Sequence, residues 1–315
     1  MTSFTMLGWV LLAGVGSGFV FQRSRLCFVS ALRDLFLFRA IDMTRAILLL
    51  FLVTVAGGAT IYSLRQIPAT PVVGPTPLGA LLGGGLFAFG MILGGSCAAG
   101  AFWRFGEGQI SQVYILAGLM VGTWAYQKLP LLSQTRLQPT FAGWTAVGLL
   151  FIALAALYAW ERLRAPAGEE LPAERRGGRL WAPWSPEIGA LAMAALLVGF
   201  MALTGQTWGV TRAFLFNDLT PVTFAVGLTV GGFVGAKFGH EWRRRPGGTR
   251  PQILIRLLGG VIMGYGARVG WGCTLGAVLS GMVNLSVQPW YWLLGAVVGA
   301  ALGSAVLRRY MSLYL

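Results

Sequence analysis

Residues 78–100, LGALLGGGLFAFGMILGGSCAAG, decide the fold. From Leu78 to Leu93 no side chain carries a charge or an amide, and the run approaches the roughly 20 apolar residues that cross ~30 Å of hydrocarbon. It then meets Gly94-Gly95-Ser96-Cys97, residues that weaken a helix and permit positive φ. Irregular backbone at membrane depth is tolerated only inside protein or beside water, so the break predicts a segment facing a buried pathway.

Comparable apolar runs recur along the chain. They predict spans at 4–22, 46–64, 78–96, 110–127, 141–160, 187–204, 219–239, 253–268 and 290–307. Over the 315 residues, 56% are hydrophobic, 11% are charged and the mean hydropathy is +0.70, more apolar surface than a soluble globule can hide. The fold class expected is an all-α polytopic membrane protein of about nine transmembrane helices, with re-entrant or broken helices. The first run lacks a basic leader and a cleavage site, so it reads as a span and not as a removed signal peptide.

The formal net charge of +14 has its source in arginines gathered between the runs, where cytoplasmic retention accounts for them, and nucleic acid is not expected as a partner. With the N-terminus outside, the inner segments hold Arg23, Arg25, Arg33, Arg39, Arg45, Arg104, the Arg162–Arg179 group, the Lys237–Arg256 group, Arg308 and Arg309. Arg65, Lys128, Arg136, Arg212 and Arg268 fall outside. The C-terminus is then cytoplasmic and the membrane is the bacterial inner membrane.

The polar linker at 161–186 splits the chain into a first repeat with its linking span, 1–160, and a second repeat, 187–315. An offset of 176 carries Gly83-Gly84 onto Gly259-Gly260, Gly90 onto Gly266, Gly94 onto Gly270, Cys97 onto Cys273 and Gly100 onto Gly276. With 46 glycines single matches mean little, but a shared cysteine in a shared glycine frame means more. A weaker offset of 187 pairs Gly18 with Gly205 and Arg25 with Arg212. Four spans on each side of one linking span place the second repeat upside down, a common transporter plan with binding at the midplane.

Cys27, Cys97 and Cys273 are far apart, without the spacing of a disulfide framework or a zinc site, and no metal or cofactor is expected. Gly94, Gly95, Ser96 and Gly272 flank two of them in breaks whose free N–H groups would attract an anion. Small residues also serve close helix packing, and membrane cysteines often act as small hydrophobes, so packing stands beside the pathway reading. A neutral thiol is a soft S–H donor suited to a sulfur anion that must bind and then leave. Arg25 with Arg23 would draw an anion toward an inner exit, or set topology. Arg104 and Glu107 pair with each other or cap an inner loop. Arg268 guides an anion inward or lies at the surface, and His240 is a solvated loop residue.

The motifs FQRSRLCFVSALRD at 21–34, GGSCAAGAFWRFGEG at 94–108 and GYGARVGWGCTLGAVLSG at 264–281 resemble signatures of the YeeE/YedE sulfur-transport family, in the same order and over essentially the whole chain. The resemblance implies a monomer of inverted-repeat helices whose loops form an hourglass passage. Along it three cysteines, standing at Cys273, Cys97 and Cys27 from outside to inside, bind thiosulfate in turn. It also implies a small cytoplasmic sulfur carrier of the TusA type as partner, with membrane lipid around the helices. Trp271 stands where many relatives hold a small residue and would narrow the passage.

Three functions are therefore weighed. The first is a transporter, not an enzyme, that imports thiosulfate or a related selenium or sulfite-type anion. The second is a membrane thiol sulfurtransferase carrying sulfane sulfur on Cys97. The third is a scaffold in which the cysteines only pack. No GxxxxGK motif is present to bring nucleotide.

Overall fold

The computed structural model describes residues 3–65, 76–130, 181–215 and 218–309, with isolated positions between 152 and 160. Among them no β-strand occurs, and the chain is an all-α polytopic membrane protein. Its elements are α1 (Ser3–Ser24), α2 (Phe28–Leu37), α3 (Asp42–Arg65), α4 (Pro77–Gly94), α5 (Ala98–Gly106) and α6 (Gln112–Lys128). There follow α7 (Pro186–Thr204), a 3₁₀ turn (Thr211–Leu215), α8 (Leu219–Phe238), α9 (Arg250–Val269), a π-helix (Thr274–Leu279), α10 (Ser280–Val283) and α11 (Gln288–Arg309).

Seven of the described stretches are long and apolar enough to cross a membrane. The 17 residues of α6 make it shorter, but about 26 Å of helix is within the range that spans. Of the expected span at 141–160 only isolated positions are described, and residues 161–180 of the expected 161–186 linker lie outside the described residues. Helix starts follow local chemistry: Thr76 caps α4 by accepting the Gly79 N–H and Ser185 caps α7 by accepting from Ile188, each with a proline in the first turn.

Four long helices stop at a break and resume as a short helical piece. Gly95 ends α4 at φ 76 and Gly205 ends α7 at φ 70, while Arg25 after α1 and Trp271 after α9 hold φ 55 and φ 57. Arg25 and Gly205 thus hold the same place after their helices, while Arg212, which the weaker offset pairs with Arg25, lies in the 3₁₀ turn. The loop after Gly205 runs to Thr211 before its 3₁₀ turn begins, longer than the step from Arg25 to Phe28.

Packing runs through backbone contacts at glycine. Gly83 and Gly90 of α4 lie against Gly266 and Gly259 of α9, rising along one helix and falling along the other, so the two helices are antiparallel. A methyl carbon at Gly90 would stand 2.5 Å from the Gly259 carbonyl oxygen, and one at Gly259 would stand 2.7 Å from the Gly90 carbonyl. Helices approach this closely only where side chains are missing. By contrast α6 runs parallel to α9, with Gly118 and Gly122 facing Leu257 and Val261, and α1 runs parallel to α8. Exchanging α1 with α7, α3 with α8, α4 with α9 and α6 with α11 turns each main packing pair among these eight helices into itself or into another observed one. Thus α4–α11 becomes α9–α6, α1–α8 becomes α7–α3, and α4–α9 and α1–α7 map onto themselves.

Candidate functional site

Each cysteine stands at the residue just before a short helical piece, two residues after a left-handed backbone position at Arg25, Gly95 or Trp271. Cys27 precedes α2, Cys97 precedes α5 and Cys273 precedes the π-helix, all in extended backbone and all buried as free thiols. Cys97 acts as the cap of α5, its sulfur accepting the Gly100 N–H at 3.3 Å. At Cys27 the N–H groups of Val29 and Ser30 face the sulfur but fall short of hydrogen-bond geometry. The N–H groups at the starts of α2 and α5 give the Cys27 and Cys97 sulfurs a partial positive surround.

The structure brings the first two motifs to one cavity. Phe21, Leu26, Cys27 and Phe28 form one side, Cys97, Ala99, Gly100 and Trp103 another, and Thr274 and Leu275, which follow Cys273, close it. Its volume is about 10 Å³, the space of roughly one water. Cys273 is fully buried behind Thr274 and does not line it. Cys97 lies in electrostatic reach of both other thiols, and the Thr274 side chain faces its sulfur.

The flanking residues support this arrangement. Gly94 ends α4 against Ile115. Gly95 takes the left-handed turn and offers its carbonyl to Arg104 at 2.9 Å, while the buried Ser96 hydroxyl donates to the Cys97 carbonyl at 3.3 Å. Gly272, at φ 152, is backed by Ala277, whose amide nitrogen would lie 2.7 Å from an added methyl carbon.

Around the α1–α2 break the charges form a network. Arg25 reaches Glu107 at 2.8 Å and Glu241 at 2.7 Å, and its guanidinium lies over the Trp103 ring at 5.8 Å. Arg23, 1% exposed, pairs with Glu241 at 2.8 Å, donates to Gln22 at 2.7 Å and meets the Trp181 carbonyl. Glu107 is also 1% exposed and faces Arg245 at 3.9 Å. The expected alternatives for Arg104 and Glu107, pairing with each other or capping a loop, do not describe this site. Because α5 ends at Gly106, Glu107 turns away to Arg25, and Arg104 points back, donating to the Gly95 carbonyl and, at 3.3 Å, to the Cys27 sulfur. Arg25, expected to meet an anion, is thus held between two carboxylates. Trp103, Thr274 and the Arg104–Cys27 contact were not singled out from sequence. The signal available was the seven-residue step from Cys97 to Arg104, two helical turns on one face.

At the opposite end, where α6 finishes and the 3₁₀ turn lies, Arg268 stands near Tyr126 and Arg212. Its Nε is buried with no hydrogen-bond partner among the described residues.

Residues 23–302, carrying all three cysteine breaks, match the profile of the sulphur transport family. The chain belongs to that family. Within it, the chain is similar to a protein named thiosulfate transporter TsuA in Escherichia coli K12, 28% identical with 93% of this chain and 92% of that protein aligned. A protein of the same name in Spirochaeta thermophila is 28% identical over 89% of this chain and 92% of its own length. A probable transporter YedE of Escherichia coli K12 is 33% identical over a shorter stretch, 38% of this chain and 32% of that one. The family and these full-length relatives are sulfur-compound transporters by name, which matches the transporter reading of the sequence.

Proposed function

We propose that the chain imports thiosulfate across the bacterial inner membrane, as an intact dianion, along a passage marked by Cys273, Cys97 and Cys27. The observation that carries this reading is the convergence of the three breaks, 27, 97 and 273, on one small cavity and its wall. Thiol S–H groups and the N–H groups at helix starts are weak, neutral donors, and several weak sites in series favour throughput over retention. The anion is then captured at the end holding Arg212 and Arg268 and leaves at the end holding Arg23, Arg25, Glu107 and Glu241.

The exchangeable packing, with α4 and α9 antiparallel, supports two inverted repeats, 1–160 with the linking span and 187–315. The distribution of arginines supports an N-terminus outside and a C-terminus in the cytoplasm; a single chain as the working unit and a TusA-like carrier as recipient belong to the same proposal. A cavity of one water describes a closed passage, so the short helical pieces must part as the anion moves.

Uptake into proteoliposomes of thiosulfate labelled separately at its two sulfur atoms tests the reading. Equal arrival of both labels, lost in Cys97→Ala at equal protein, is the expected result. Retention of the sulfane label alone on the protein would instead make this a sulfurtransferase; arrival in Cys97→Ala at the normal rate would refute the cysteine passage.

A further inference from the structure

We propose that Arg104 receives the transported anion between Cys97 and Cys27, its guanidinium leaving the Gly95 carbonyl and the Cys27 sulfur to do so; this rests on the anion-import reading above. Arg104 follows Cys97 by two turns of α5 and therefore shares its face. Its fork spans the two breaks, with Nη1 on the Gly95 carbonyl at 2.9 Å and Nη2 on the Cys27 sulfur at 3.3 Å. Trp103, a wall of the cavity, holds the guanidinium over its ring at 5.2 Å.

What sets Arg104 apart is its company. Arg23, Arg25 and Arg245 all face Glu107 or Glu241. Arg104 is part-buried and has no carboxylate within ion-pair range among the described residues; its partners are a carbonyl and a sulfur. A desolvated cation is normally matched by an anion, and a planar guanidinium matches the oxygens of a sulfonate-like group with two parallel hydrogen bonds. A thiosulfate seated there would give its oxygens to Arg104 while its sulfane sulfur stays beside the thiols. Replacing a carbonyl and a sulfur with a charged acceptor strengthens both hydrogen bonds, and the neighbouring Glu107 stays occupied by Arg25.

The test reads local potential without requiring thiosulfate. In a variant keeping Cys27 alone (Cys97→Ser, Cys273→Ser), the labelling rates of Cys27 by anionic and by cationic methanethiosulfonate reagents are compared. Arg104→Gln should lower the anionic-to-cationic ratio about tenfold or more, and Arg104→Lys should hold it within about threefold. In the chain with all three cysteines, Arg104→Gln should raise the uptake KM roughly tenfold, with Arg104→Lys recovering much of it. A ratio unchanged in Arg104→Gln, with both rates altered alike, would make Arg104 a prop for the Gly95 turn and overturn the proposal. Failure of both reagents to reach Cys27 would overturn it as well. The expected ratio change in a protein that takes up no thiosulfate would count against the substrate and not against Arg104.

Discussion

Replacing Gly90 with alanine tests the α4–α9 crossing on which the Cys97 and Cys273 breaks are mounted. The added carbon would stand 2.5 Å from the Gly259 carbonyl oxygen and 2.7 Å from the Met263 amide nitrogen. Both are backbone atoms, so no rotamer change relieves the clash and the helices must separate. Overpacking of this kind costs about 1–3 kcal/mol, here toward the upper end, while alanine in a helix regains about 1 kcal/mol relative to glycine. The net expectation is a loss of about 2 kcal/mol. Gly199→Ala is the matched control, because nothing lies within 4 Å of its added carbon, and it should gain up to about 1 kcal/mol. Thermal unfolding in detergent can be followed by tryptophan fluorescence, since the chain holds 12 tryptophans and Trp103, Trp208 and Trp292 are buried. Gly90→Ala should melt below wild type and Gly199→Ala at or above it. If Gly90→Ala melts no lower than Gly199→Ala, the close crossing is not what holds these helices together.

Two further outcomes follow from the site. A double-mutant cycle of Arg25→Gln and Glu107→Gln, read by the same unfolding assay, should give a coupling of about 1 kcal/mol; the value stays low because Arg25 is 44% exposed and keeps Glu241. Zero coupling would mean that the pair does not form. Gly95→Ala should lose about 1–2 kcal/mol by forcing a side chain into a left-handed turn that has open space around it, and Gly95→Asn should lose less. Equal losses in the two variants would place the fault elsewhere than in φ.

Most of the helices are legible because each must satisfy its own backbone in an apolar solvent, which leaves a long apolar run as its trace. Span 187–204 falls on Pro186–Thr204, where serine and proline mark the start and Gly205 the end. Span 253–268 begins late because Arg250 and Gln252 belong to the first turn of α9, before the apolar run starts. The cysteine breaks are legible for a similar local reason, since glycine before cysteine interrupts the run. Partners chosen over long distances are not: Glu107 meets Arg25, 82 positions earlier, and Arg104 meets Cys27, 77 positions earlier. Local spacing left Arg104 and Glu107 either joined to each other or capping an inner loop, but α5 ends at Gly106 and their side chains part to Cys27 and Arg25. The π-helix after Cys273 likewise leaves no periodic mark that six residues could carry.

A gap of one water between Cys27 and Cys97 matters to the membrane as a capacitor. Any standing opening wide enough for a dianion would pass chloride too, and the voltage would run down. Each charge moved across 100 mV involves about 2.3 kcal/mol, so a dianion entering a negative interior climbs about twice that. On the import route proposed above, a seal that opens only around its cargo keeps the battery charged, but it supplies none of that climb. Accumulation then has to be drawn by what the cytoplasm does with the anion after it leaves Cys27.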